Sequence, residues 1–120
     1  MYYDKNNTFA KILRGDVSCK KIYENDYVLS FYDVKPLKKT HVLVIPKGEY
    51  IDLDDFHSHA TEKEIIEFNK SITHIVKILK ISNQEDGYRV ITNIGKNGGQ
   101  EVPHLHYHIF GGEKVGKIVF

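Results

Sequence analysis

Cysteine is nearly missing from this 120-residue chain, which has only Cys19. A lone thiol excludes an internal disulfide and a cysteine-based zinc site, and it fits a reducing compartment. Long apolar runs are missing too. The longest, Val42 to Ile45, is far too short to cross a bilayer, and the opening Met-Tyr-Tyr-Asp-Lys-Asn-Asn lacks the apolar stretch of a signal peptide. The expected location is therefore cytoplasmic, with no membrane partner. Neither sign of charge dominates: 17 Lys and Arg against 16 Asp and Glu leave +1, scattered rather than blocked, a poor footprint for nucleic acid. No repeat or low-complexity tract is visible, so the reading is one domain over residues 1–120, long enough for a real core.

Element signals are clear in places. Thr8 to Arg14 is expected as a short helix capped by Asn7 or Thr8 and stopped by Gly15. KKIYEND and YVLSFYDV form a hairpin turning near Asn25 and Asp26, with Pro36 ending the second strand. His41 to Lys47 is a strand whose unbroken apolar run predicts burial on both faces. A polar connection containing Asp52, Asp54 and Asp55 leads to a long helix from Thr61 to Lys80, opened by a Thr61/Glu64 capping box. Tyr88 to Ile94 and His104 to Phe110 are the last two strands. Strands in two groups around one long helix predict α+β with a largely antiparallel sheet.

Of seven histidines, His104, His106 and His108 occupy alternate positions of one strand and so share a face at intervals of about 7 Å. His57, His59 and His74 read as surface residues, and Cys19 as a small strand-edge residue. A single strand histidine would be unremarkable. Three in register point to chemistry, because exposed strand faces normally carry Thr, Lys or Glu. Metal binding is one option, with His106, His108 and Glu113 spaced in a weakly cupin-like way, although no histidine follows to complete a set. Nucleophilic attack on phosphorus is the other, since neutral imidazole is a good nucleophile and its phosphoryl adduct is labile. The preceding loop favours the second, because Gly95, Gly98 and Gly99 would let backbone N–H groups converge on an anion.

The residues GGQEVPHLHYHIF resemble the His-x-His-x-His-x-x pattern of the histidine triad (HIT) superfamily, with Leu105, Tyr107, Ile109 and Phe110 at the x positions. TNIGKNGGQ, TFAKILRGDV and LSFYDVKPLKKTHVLVIPK are similar to its Hint branch, the nucleoside phosphoramidases, and the resemblance runs from about Thr8 to Gly112. It implies a HIT-like fold: a five-stranded mainly antiparallel sheet with one long and one short helix, the sheet continued across a homodimer. It also implies binding of purine nucleoside monophosphates, and hydrolysis of the P–N bond of purine nucleoside 5'-phosphoramidates, aminoacyl-adenylate-type substrates included. That hydrolysis would run through a nucleotidyl-histidine, with no metal and no cofactor.

By the same resemblance His106 is the nucleophile, His108 contacts the phosphate, His104 orients the site and His41 supports it from the neighbouring strand. Asp33 would accept from the ribose hydroxyls. Phe9, Ile12, Val17, Phe31, Tyr32 and Val34 would line the base pocket, and Asn93, Gly99, Gln100, Glu101 and Val102 the phosphate side. Three features depart from relatives. Glu101 stands where several carry a serine, which could move contact to its backbone N–H or shift leaving-group preference. The stretch near Asn6 and Phe9 lacks the Cys-x-x-Cys that helps some relatives hold zinc. The terminal EKVGKIVF is unlike the tails that approach the partner subunit's site. A dinucleoside polyphosphate hydrolase of the same superfamily, or a nucleotide-binding regulatory module with incidental turnover, would use the same triad.

Overall fold

The computed structural model describes residues 2–117, so the end of the C-terminal tail, 118–120, lies outside the described residues. Helix α1, Thr8–Leu13, starts where Asn7 Oδ1 accepts from the Ala10 amide at 2.9 Å. It closes before Gly15, whose φ of 85° suits glycine. Strands β1, Lys21–Glu24, and β2, Val28–Tyr32, form the expected hairpin. The Asn25 side chain fixes its turn by accepting from the amides of Tyr27 and Val28.

Strand β3, Thr40–Pro46, is buried at every position from His41 onward, as its apolar run predicts. The polar connection after it is not a loop. Leu53–His59 form helix α2, opened by Asp52, whose Oδ1 accepts from the Asp55 amide at 2.9 Å, and anchored by fully buried Phe56. Its aspartates hide one apolar anchor behind a cap and an acidic first turn, which favour a helix start. Helix α3, Glu62–Ile78, has the predicted Thr61/Glu64 capping box and ends two residues short of Lys80.

The last two strands are shorter than the sequence suggests. Strand β4 is Tyr88–Ile91, and β5 is Tyr107–Gly111. Helix α4, Gly95–Gly98, lies between them in place of an irregular loop. The His104–Leu105–His106 segment does not join the ladder. The amide of Leu105 donates to Tyr50 O, that of His104 to Val102 O, and Pro103 before them has no amide to donate.

The sheet is antiparallel throughout, in the order β1-β2-β3-β5-β4. Central β3 therefore feeds two cores. Val42 and Val44 pack with Ile109, Phe56, Phe68, Ile75 and Val76 on the α3 side. Leu43 joins Leu29, Phe31, Ile45 and Phe9 on the α1 side. Because Leu43 lies opposite His108 in the β3–β5 register, the histidines belong to the α1 face of the sheet. No helix among the described residues is long and apolar enough to cross a membrane.

Candidate active site

Two adjoining cavities open on the α1 face. One, about 370 Å³, is mainly apolar, and all six residues expected around a base line it: Phe9, Ile12, Val17, Phe31, Tyr32 and Val34. Leu43, Cys19 and Ser18 line it as well, unforeseen in that role. The other, about 350 Å³, holds His41, His106 and His108 with Asn93 and Gly99. Asp33, Glu101 and Val102 line both, so a carboxylate stands at the junction. The shape suits a ligand with an apolar ring at one end and a polar group at the other.

Two expected residues line neither cavity. His104 is fully buried behind the wall. Gln100 is spent as a brace: its Nε2 donates to Ile51 O at 2.6 Å and to Val102 O at 3.1 Å, while its Oε1 accepts from the Gly95 amide. The glycine loop also differs from the anion nest that its composition suggests. The amides of Gly99 and Gln100 bond to Lys96 O and Gly95 O inside the loop, as Gly95 N–H bonds to Gln100. Left-handed Gly95 and Gly99 serve the tight helical turn instead. Among the described residues no acceptor takes the amides of Glu101 or Val102, which stand beside the cavity and are open to a ligand.

The hydrogen bonds assign the proton on each of the four imidazoles at the site. Carbonyl oxygens only accept, so His106 donates Nδ1–H to His104 O at 2.8 Å, and His104 donates Nε2–H to Pro46 O at 2.9 Å. The lone pair on His104 Nδ1 takes the Tyr3 hydroxyl at 2.6 Å. The Leu37 amide donates to His41 Nδ1 at 3.1 Å, so neutral His41 carries its proton on Nε2 and gives it to His108 Nδ1 at 3.0 Å. His108 is then the Nε2–H tautomer, a donor beside the cavity. His106 is the reverse, with an unprotonated Nε2 that no protein group bonds among the described residues.

Burial keeps all four rings neutral at pH 7. It pushes His104 and His108 down to about 4, the latter helped by His106 and His41 nearby. Burial also lowers His41 and His106, against the opposing pull of Asp33, and for His106 of the His104 carbonyl and Glu101. Phe9 meets the His106 ring edge-on at 4.9 Å, and the Thr92 hydroxyl donates to His106 O at 2.9 Å, so ring and main chain are each held.

Asp33, His41 and His108 bring possible ligand atoms within 4.8 Å of one another. They fit a metal poorly, because the Leu37 amide occupies His41 Nδ1 and leaves the proton on Nε2, the nitrogen a cation would need. Glu113 does not join this cluster, and its carboxylate accepts from the Lys39 amide at 2.6 Å. Exposed His57, His59 and His74 are remote surface groups as expected, His59 pairing with Asp55 and His74 stacking on Tyr23. Tyr3, Leu37 and Thr92 were invisible as partners. Tyr3 lies outside any motif, Thr92 opens the TNIGKNGGQ stretch without a role there, and Leu37 acts through a main-chain amide that every residue but proline has.

The chain is similar along its length to proteins of one kind. It is 45% identical over 117 residues to a 13.2 kDa HIT-like protein of Azospirillum brasilense, covering 98% of this chain and 94% of the relative. It is 34% identical over 112 residues to the purine nucleoside phosphoramidase of Escherichia coli K12, covering 92% and 91%. A histidine triad protein from Clostridium difficile superposes with a TM-score of 0.82 at 38% identity, over 97% of this chain and 98% of the other. The HIT domain pattern itself matches residues 14–115, and with the five-stranded antiparallel sheet and the aligned imidazoles this chain belongs to the HIT domain family.

Proposed function

We propose that the protein hydrolyses the P–N bond of purine nucleoside 5'-phosphoramidates through a nucleotidyl-histidine intermediate. One observation carries this reading: His106 Nδ1–H is tied to the His104 carbonyl at 2.8 Å, which leaves a neutral, unpaired Nε2 beside the polar cavity. The named activity of the Escherichia coli relative gives the reaction class, and the paired cavities suit a nucleotide.

The steps follow from the proton positions. His106 Nε2 attacks the α-phosphorus in line, the N–P bond forms, and the P–N bond to the leaving group breaks as the departing amine takes up a proton from solvent. His108 Nε2–H and the amides of Glu101 and Val102 face the non-bridging oxygens, supplying the preorganised donors on which phosphoryl transfer depends. Water then attacks phosphorus and gives up a proton to solvent, the His106 N–P bond breaks, the nucleoside monophosphate leaves, and His106 returns to its neutral state. Asp33, at the junction of the cavities, accepts from the ribose diol. Phe9, Ile12, Val17, Phe31, Tyr32 and Val34 enclose the base, Asn93, Gly99, Glu101 and Val102 the phosphate. His104 and Gln100 act from behind as supports. The working form in this reading is a cytosolic homodimer with its two sheets joined, needing neither metal nor cofactor.

The test is release of AMP from adenosine 5'-monophosphoramidate in the presence of a chelator, by the wild-type protein and by His106→Ala. Chelator-resistant release that the variant loses by about a thousandfold or more supports the nucleophile. Near-normal turnover by His106→Ala refutes it. Faster cleavage of a diadenosine polyphosphate would move the activity to that substrate class, and tight AMP binding without turnover would make the protein a nucleotide-binding module.

A further inference from the structure

The ring that supports the nucleophile is itself held by a residue far away in sequence. His104 has no exposed surface, and both its nitrogens are engaged in opposite senses: Nε2–H donates to Pro46 O at 2.9 Å, and Nδ1 accepts from the Tyr3 hydroxyl at 2.6 Å. Burial raises the Tyr3 phenol above its ordinary pKa and depresses His104 to about 4, so the donor keeps its proton and the acceptor its lone pair at neutral pH. The two rings meet edge to face at 5.7 Å, and Phe9 sets its ring against both His104 and His106. Residue 104 is therefore pinned from two sides, and its own carbonyl takes Nδ1–H of His106. Tyr3 lies before residues 14–115, the span that matches the family pattern, and His104 lies within it.

We infer that Tyr3 is a positioning residue for catalysis: its hydroxyl fixes the tautomer and rotamer of His104, and through the carbonyl of residue 104 it sets the aim of His106 Nε2. The inference rests on His106 being the nucleophile. Without the hydroxyl, His104 Nδ1 is a buried acceptor with no donor, and the ring is free to exchange tautomers or leave Pro46. The His106 ring would then lose its fixed anchor, while the base and ribose contacts stay. Small misplacements of a reacting group are costly in rate, so the loss falls on kcat and not on KM.

Tyr3→Phe removes one oxygen. In this variant kcat for adenosine 5'-monophosphoramidate is expected to fall about tenfold or more, with KM within about twofold. Histidine side-chain ¹⁵N spectra should show the His104 Nδ1 resonance shifted and the His106 Nδ1 proton exchanging faster with water. Unchanged His106 resonances and unchanged kcat would overturn the proposal, as would a loss confined to KM. If the wild-type protein has no turnover, the proposed activity fails, and the His106 spectrum alone decides the Tyr3 link. Should Tyr3→Phe fold poorly, 3-fluorotyrosine placed at position 3 keeps the hydroxyl as a stronger donor. The same two resonances must then move, or the link is refuted.

Discussion

His41 Nε2 lies 3.0 Å from His108 Nδ1, and the Leu37 amide on the far side of His41 decides which ring gives the proton. His41 donates, and His108 is left with its N–H at the nitrogen beside the cavity. A main-chain amide in the β2–β3 connection thus fixes the polarity of a side chain one strand further on. Asp33 Oδ2, 3.4 Å from His41 Nε2, favours the same proton position.

His41→Phe removes this donor while filling the space. His108 then keeps its proton on either nitrogen, and the fraction aimed at the phosphate falls. The expected outcome is a drop of about a hundredfold in kcat, the scale of losing one preorganised donor, with KM little changed. Steady-state kinetics on the phosphoramidate check it, and a loss seen only in KM would contradict the assignment.

Asp33→Asn tests the junction of the two cavities. One Asp33 oxygen already accepts from the Lys35 amide at 2.8 Å, leaving the other oxygen and the remaining lone pairs for a diol. AMP affinity should weaken about tenfold, the worth of a hydrogen bond to a charged acceptor. A 2',3'-dideoxy analogue should bind both proteins alike. Titration calorimetry with the two ligands separates ribose recognition from any general disturbance.

Acid should weaken both stability and activity, and the sign follows from the depressed imidazoles. An unfolded histidine titrates near 6.5, while folded His104 and His108 titrate at about 4. Between these values the unfolded chain binds more protons, so stability is full above pH 6.5 and is lost as pH falls toward 4. Fully buried His104 alone contributes ~3 kcal/mol of that loss. Denaturant midpoints at pH 7.5, 5.5 and 4.5 should fall in that order. Turnover should hold through pH 6.5, because burial also lowers His106. A half-maximal rate at or above pH 6.5 would mean that the nucleophile titrates as an exposed imidazole does.

The sequence revealed what depends on side-chain type and period. The two-faced burial of β3 is written in Val42 to Ile45, the capping box of α3 in Thr61 and Glu64, and the alignment of imidazoles in the spacing of His104, His106 and His108. It did not reveal what depends on where main-chain groups go. By spacing alone the three rings were expected to share one face of a strand. In the structure they form a graded series, because Pro103, Tyr50 and Val102 hold the segment before β5 out of the ladder and His104 sinks behind the wall. Gln100 reads as a phosphate ligand by position, yet its amide closes the loop onto Ile51. Helix α2 escaped notice because Phe56 is its one deeply buried apolar anchor.

Strand β3 separates two kinds of heritable change. Its odd positions, His41 and Leu43, face the ligand compartments, while even Val42 and Val44 face α3. Substitutions at odd positions can retune what the cavities accept without touching the packing under the long helix. Substitutions at even positions alter the strength of the scaffold and leave the chemistry in place. Selection for a new substrate and selection for robustness therefore act on interleaved letters of the same seven-residue word.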